Sequence, residues 1–249
     1  MKKEASKEDL EKEVVSEPYF GKAVAFALDH CGDVSGKKIL DAGCGKGLYS
    51  VFFALKGAEV TGVDLNVSAL DIAKKRALEY GVQDKCSFLH SSTESMSIDA
   101  ASMDVIFSKS TIQYMRRDVA LAEYKRILKK NGILILIENL PYNPFINLYR
   151  LRRKLFARTA DKIRYVKSIR GYLNFHEIKD LEKDFHTVVH KEFHLFYMMA
   201  IHLSRYTNKS VAGVLSTVLG NTDKFIFHYF PFMKRFAWFT SIYCQNKRD

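Results

Sequence analysis

Five residues near the start of the chain have types and spacing that can hold a ligand. Asp41 is followed by Gly43, Gly45 and Gly47, and Asp64 stands nineteen residues after Gly45. Glycines at alternate positions let a backbone turn sharply and approach a ligand without a Cβ in the way. The N–H groups of a helix that starts at such a turn face the ligand. The order is G-x-G-x-G, with Leu48 where a dinucleotide fingerprint wants its third glycine. Asp41 inside the turn repels a pyrophosphate and suits an ammonium group. That favours an adenosyl amino acid over NAD. Asp64 ends a second apolar run, and a carboxylate there can accept from both ribose hydroxyls.

These residues need elements to place them. Lys38–Ala42 reads as a buried strand running into the turn, and Leu48–Leu55 as the helix after it, with Leu48, Val51, Phe52 and Leu55 inward. Ala58–Asp64 reads as the neighbouring strand. Ser68 with Asp71 forms a capping box for a helix reaching Tyr80. Cys86–His90 and Val105–Ser108 read as third and fourth strands. Asp118–Lys129 is an amphipathic helix closed by Asn131-Gly132, and Ile133–Ile137 is a fully buried fifth strand. The alternation predicts a doubly wound α/β fold with a parallel sheet.

D-A-G-C-G-K-G (Asp41–Gly47) followed by V-T-G-V-D (Val60–Asp64) resembles the class I S-adenosylmethionine-dependent methyltransferases. The resemblance runs closely over residues 36–140 and continues through Phe88–Glu94, Met103–Ser108 and Tyr124–Gly132. It implies S-adenosyl-L-methionine as cofactor and a mostly parallel seven-stranded sheet with an antiparallel last strand. It also implies a helical insertion capping the substrate side. The implied cofactor-binding set is Tyr19, Asp41, Gly43, Cys44, Gly45, Asp64, Leu65, Ser92, Thr93 and Ser108. Ser92 stands where the family usually has an aspartate, so a hydroxyl replaces a carboxylate near the adenine. One domain is expected: N-terminal helices over 1–35, the cofactor core over 36–140, and substrate-side elements over 141–249. Helical material from about 198 to 233 would be the insertion.

Methyl transfer from a sulfonium needs mainly alignment of the acceptor, so no fixed triad is expected. An oxygen acceptor also needs a base. The candidates are Tyr114 in the loop after the fourth strand, Glu138 at the end of the fifth, and His176 before a helix, with His194 as a further histidine. For each, packing, capping or solvation is the competing reading. His186, His190 and His194 recur every fourth residue of a predicted strand, too far apart to surround one ion, so no metal is expected.

Composition bounds the rest. Residues 1–140 hold 20 basic and 20 acidic side chains, and residues 141–249 hold 19 and 8, so the whole net charge of +11 lies in the second segment. The same segment carries 21 of the 32 aromatics. Substrate or surface recognition is therefore expected there. Asn147–Arg158 reads as a basic amphipathic helix, suited to an anionic membrane or to a solvated face over the core. The four cysteines are scattered, the N-terminus is charged, and no apolar run nears the ~20 residues of a membrane span. A cytoplasmic protein is expected, membrane-peripheral where that helix meets lipid. The acceptor expected is a small molecule, glycan or lipid-linked intermediate, methylated at oxygen. A nucleic-acid methyltransferase is the alternative. Ser108-Lys109-Ser110-Thr111 stands where base-amine methylases carry N-P-P-Y, which argues against nucleic acid as a partner. A non-catalytic cofactor-binding protein is the third reading.

Overall fold

A computed structural model describes residues 7–17, 19–156, 163, 167–204 and 206–246. Seven strands form one sheet: β1 Lys38–Ala42, β2 Glu59–Asp64, β3 Cys86–His90, β4 Met103–Lys109, β5 Leu128–Asn139, β6 Phe185–Phe193 and β7 Phe239–Asn246. Their order is β3-β2-β1-β4-β5-β7-β6. β1 pairs in parallel with β2 on one side and β4 on the other. β7 runs antiparallel to both β5 and β6. The chain leaves β1 in both directions, so a crevice opens at the carboxyl ends of β1 and β4.

Nine helices of more than three residues are described besides the short 3₁₀ turns: α1 Lys7–Val15, α2 Gly21–Cys31, α3 Leu48–Leu55, α4 Val67–Glu79, α5 Arg117–Ile127, α6 Pro144–Leu155, α7 Phe175–Asp184, α8 Tyr197–Leu203 and α9 Lys209–Tyr229. The central strands alternate between two cores. Ile39, Val105, Phe107, Ile135 and Ile137 meet α1, α2 and α3 through Leu10, Val24, Ala27 and Phe53. Leu40, Ile106, Leu134 and Leu136 meet α5 and α7 through Tyr124, Ile127, Ile178 and Leu181. Burial on both faces accounts for the continuous apolar runs.

Local chemistry shifts several boundaries. Asn66, not Ser68, caps α4, its side chain accepting from Ala69 N at 3.1 Å. β5 starts at Leu128 rather than after Gly132, and Asn131 takes a left-handed φ of 57° within it. α6 starts three residues early, with Asn143 accepting from Ile146 N and Pro144 at its first position. The expected C-terminal end of that helix, Ala157 and Arg158, lies outside the described residues. α8, α9 and a 3₁₀ turn at Pro231–Phe236 form the insertion between β6 and β7. Buried Asp223 on α9 ties the insertion down by accepting from the backbone N–H groups of Leu195, Phe196 and Tyr197 at 2.8–3.1 Å.

Candidate active site

The glycine turn hangs on β2. Gly43 N and Cys44 N both donate to Val63 O, at 2.8 and 3.0 Å. Gly43 and Gly45 have φ of 77° and 52°, in the left-handed region that favours glycine. Their surroundings differ. A Cβ on Gly43 would fall 2.3 Å from Thr111 Oγ1, so this glycine lets the loop after β4 pack on the turn. A Cβ on Gly45 would meet nothing within 4 Å, so the turn is open there. Asp64 faces the same opening: Oδ2 accepts from Gly45 N and Oδ1 from Asn66 N, both at 2.8 Å. Each oxygen keeps a further lone pair for a ligand hydroxyl. An open glycine turn with a fixed carboxylate fits the ribose and amino-acid portions of S-adenosylmethionine.

Asp41 lies deeper than its place in the turn suggests. It is buried, and its Oδ2 accepts from Ser50 Oγ at 2.6 Å. Burial pushes its pKa up to about 6, against the pull of the Ser50 bond and of Lys109. Cys44 is buried and burial pushes its thiol up, so it serves as a small packing residue. Ser92 Oγ accepts from Glu94 N at 3.1 Å, and Glu94 is held by Arg116. Thr93 points inward, its Oγ1 3.1 Å from Met115 Sδ. Leu65 is exposed just beyond β2, and Ser108 is fully buried, its hydroxyl without a partner among the described residues. Tyr19 packs edge-on against Trp238, ring centroids 5.3 Å apart.

The proposed bases separate. Glu138 is buried at the end of β5, and its Oε1 accepts from Thr111 N at 2.8 Å and Ile112 N at 3.1 Å. Burial pushes its pKa up to about 7. This carboxylate pins the loop after β4, which is a positioning task. Tyr114 sits on that loop and lines a cavity of about 800 Å³ together with Phe20, Lys109, Tyr149, Tyr172 and Trp238. Residues 170–171 close onto the loop, Arg170 N donating to Gln113 O at 2.8 Å. His176 is elsewhere. Its side chain is 82% exposed, 3.7 Å from Asp180, in a surface hollow with Tyr142, Phe232 and Arg235. His194 is buried, its Nε2–H donating to Tyr19 O at 2.9 Å, and burial lowers its pKa to about 4. It is a neutral packing residue with a left-handed φ of 63°. Among the described residues no cluster of His, Cys, Asp or Glu could hold a metal.

The aromatic stretch before β7 also separates. Trp238 lines the cavity, whereas Phe225, Tyr229, Phe230 and Phe232 are exposed on the insertion and absent from the cavity's lining. Of the aromatic stretch Phe225–Trp238, Trp238 alone lines this cavity, and Tyr229 and Phe230 at the end of α9 are exposed away from it. Lys109 and Tyr172 escaped the sequence reading. Lys109 alone left a signal, a cation ending the strand whose centre is the apolar Val105–Phe107.

Residues 40–136 match the family model described as "Methyltransferase domain". The ubiquinone biosynthesis O-methyltransferase of Photobacterium profundum is 31% identical over 109 residues, which are 43% of this chain and 46% of that protein. The malonyl-[acyl-carrier protein] O-methyltransferase of Hamiltonella defensa is 29% identical over 168 residues, 67% of this chain and 59% of that one. The chain thus spans about half the length of these curated relatives. The crystal structure of geranyl diphosphate C-methyltransferase from Streptomyces coelicolor, in complex with Mg²⁺, geranyl diphosphate and S-adenosyl-L-homocysteine, superposes with a TM-score of 0.60 at 16% identity. That match covers 92% of this chain and 77% of that one. The fold is shared with that structure.

Proposed function

We propose that this chain, whose residues 40–136 belong to the methyltransferase domain family, is an S-adenosylmethionine-dependent methyltransferase acting on a small or lipid-linked acceptor. The observation that carries the reading is the open turn at Gly45 with Asp64 fixed across it. Bound there, S-adenosylmethionine supplies an activated methyl group on a sulfonium. Asp64 takes ribose hydroxyls, and Leu65, Ser92 and Thr93 lie toward the adenine. Gly43, Gly45 and the buried Asp41 shape the turn for the amino-acid end, and Cys44 packs beneath it. Tyr19 and Ser108 complete the set as packing neighbours.

The acceptor enters the cavity at the ends of β4 and β5. Alignment of two reactants can supply ~7–11 kcal/mol of barrier reduction. Here the alignment comes from a loop held at Thr111 and Ile112 by Glu138. The O-methyltransferases among the relatives support an oxygen acceptor. We assign the base role to Tyr114, which lines that cavity and takes the acceptor's proton in its phenolate form, and Glu138 acts through the loop. His176, far out on α7, has no part in the transfer.

Peripheral contact with an anionic membrane belongs to the same reading. On α6 Leu148, Leu151 and Leu155 are exposed beside Arg152, Arg153 and Lys154. Among the described residues no helix is long and apolar enough to cross a membrane.

The test is calorimetric titration with S-adenosylmethionine, followed by incubation with methyl-labelled cofactor and cell extract. Saturable binding and a labelled small or lipid-linked product are expected. No binding, or label found only in RNA or DNA, would refute the proposal.

A further inference from the structure

The cavity beside Tyr114 has one sign of charge. Lys109, Arg150, Arg153, Lys154 and Lys167 line it, and its described lining contains no Asp or Glu. The cations are not equivalent. Arg150 is committed to structure: Nη1 donates to Leu140 O at 3.1 Å, and its guanidinium lies 3.6 Å from the centroid of the Tyr172 ring. Arg153, Lys154 and Lys167 come from α6 and the segment after it, at the outer part of the wall.

Lys109 is the inner cation. It ends β4, beside the loop that carries Tyr114. Its ammonium lies 4.3 Å from the centroid of the Phe20 ring and 5.4 Å from that of Tyr49. It makes no hydrogen bond or ion pair with the described residues. Glu17, Glu138 and Asp41 are the carboxylates that face it. Each accepts from another donor: Glu17 from Phe20 N at 2.7 Å, Asp41 from Ser50, and Glu138 from the loop amides through Oε1, its Oε2 keeping no hydrogen bond. Burial holds the Lys109 ammonium below its usual pKa range. A half-buried cation without a hydrogen-bonding partner is costly to keep. Phe20, Ile146, Tyr149 and Trp238 give the cavity an apolar, aromatic side, beside the neutral polar Ser110, Gln113 and Asn139.

We propose that the acceptor is an anionic amphiphile, with a carboxylate or phosphate head held by Lys109 and an apolar body lying against Phe20, Tyr149 and Trp238. The proposal rests on the methyltransferase reading above and names the substrate class of the same site.

Trp238 is the only tryptophan in the chain and lines this cavity, so its fluorescence reports occupancy there. The probes are dodecyl phosphate, dodecanoate and dodecanol, each below its micelle concentration. Saturable change with the two anions and little with the alcohol is expected. The tighter of the two anions identifies the head. Lys109→Met should weaken the anions by about tenfold or more, as the loss of a charge-assisted bond does. Lys109→Arg should restore them. Calorimetry with S-adenosylmethionine runs in parallel, and Lys109→Met should leave it unchanged. Failure of wild type to bind the cofactor would refute the methyltransferase reading separately. The substrate-class proposal is overturned if dodecanol binds as tightly as the anions, or if Lys109→Met binds them like wild type. It is also overturned if Lys109→Met weakens only S-adenosylmethionine, for Lys109 then serves the cofactor's own carboxylate. Should Lys109→Met not fold, Lys109→Gln is the second variant: it must weaken the anions relative to dodecanol, and unchanged selectivity overturns the proposal.

Discussion

The two halves of this chain solve recognition differently. At the glycine turn of the first half the ligand-facing groups are mostly backbone: an amide of the turn, the start of α3, and one carboxylate locked to that turn. The cavity to which the second half contributes most is lined by side chains, those of α6, the segment around Ile169 and Trp238 joined by Phe20, Lys109 and Tyr114 from the first half. Backbone recognition demands residue types, because only glycine adopts these φ values cheaply and leaves the space open. Side-chain recognition demands only a class of residue, and many orders of Arg, Lys and Tyr would line a similar wall. The first half therefore leaves a motif in the sequence, and the second leaves only a composition.

The largest effect that would break this contrast is at Gly45. Gly45→Val places a branched side chain in the open turn at a φ of 52°. The cofactor loses its space, so calorimetry should find binding weakened at least ~100-fold. The melting temperature should fall by only a few degrees, on the order of the 1–3 kcal/mol of a strained residue. Cofactor binding within about threefold of wild type would show that the turn is not the cradle.

Glu138 tests whether the acceptor side also depends on a backbone held in place. Its folded pKa, about 7, lies above the ordinary 4.5. A raised carboxyl pKa means that its contribution to stability is fully present below pH 4.5. That contribution is lost as pH rises through about 7. Glu138→Gln can still accept from Thr111 and Ile112 and cannot ionise. At pH 8 it should be the more stable protein by on the order of 2 kcal/mol, and the advantage should vanish by pH 5. Thermal melts at the two pH values check this. A Gln variant destabilised equally at both would mean that the buried charge is needed. Glu138→Ala should instead free the loop and lower kcat.

Asp64 sharpens the first half. Asp64→Ala removes charge-assisted bonds worth ~1.5–3 kcal/mol, so S-adenosylmethionine affinity should drop about tenfold or more. Anion probes of the Trp238 cavity should bind unchanged. The separation of these two effects is what the sequence could not show. Strand order, the glycine turn and Asp64 were legible because periodicity and φ restrictions act over a few residues. The tasks of Glu138 and His176 were not. A glutamate at a strand end looks the same whether it faces a cavity or two loop amides, as Glu138 does. His176 precedes a helix in sequence, but α7 packs its Ile178 and Leu181 inward and leaves His176 in solvent. Lys109 was passed over because a strand-end lysine usually reaches water, whereas this one lies under Phe20.

The smallest expected effect concerns the outer surface of the second half. The sequence left open whether Leu148, Leu151 and Leu155 pack on the core. They do not: Leu148 and Leu155 are each 68% exposed. The insertion repeats the arrangement, with Val214, Val218, Phe225 and Tyr229 exposed on α9. Between Phe193 and Asn246 the only acidic residue is Asp223, which is buried under three backbone amides. The insertion's own sequence therefore supplies cations and one buried carboxylate, which suits anionic lipid better than a second, equally basic copy. Each burial of a leucine tip in the lipid interface should contribute about 1 kcal/mol, and each nearby cation about as much, screened by salt. Leu148→Ser with Leu155→Ser spares every cavity residue. The double variant should sediment with phosphatidylglycerol-containing vesicles about tenfold less well than wild type, while cofactor affinity and Trp238 response stay constant. High salt should release both proteins. If neither protein sediments with the vesicles, or both do so equally, α6 meets only solvent, and the charge of the second half serves the cavity alone.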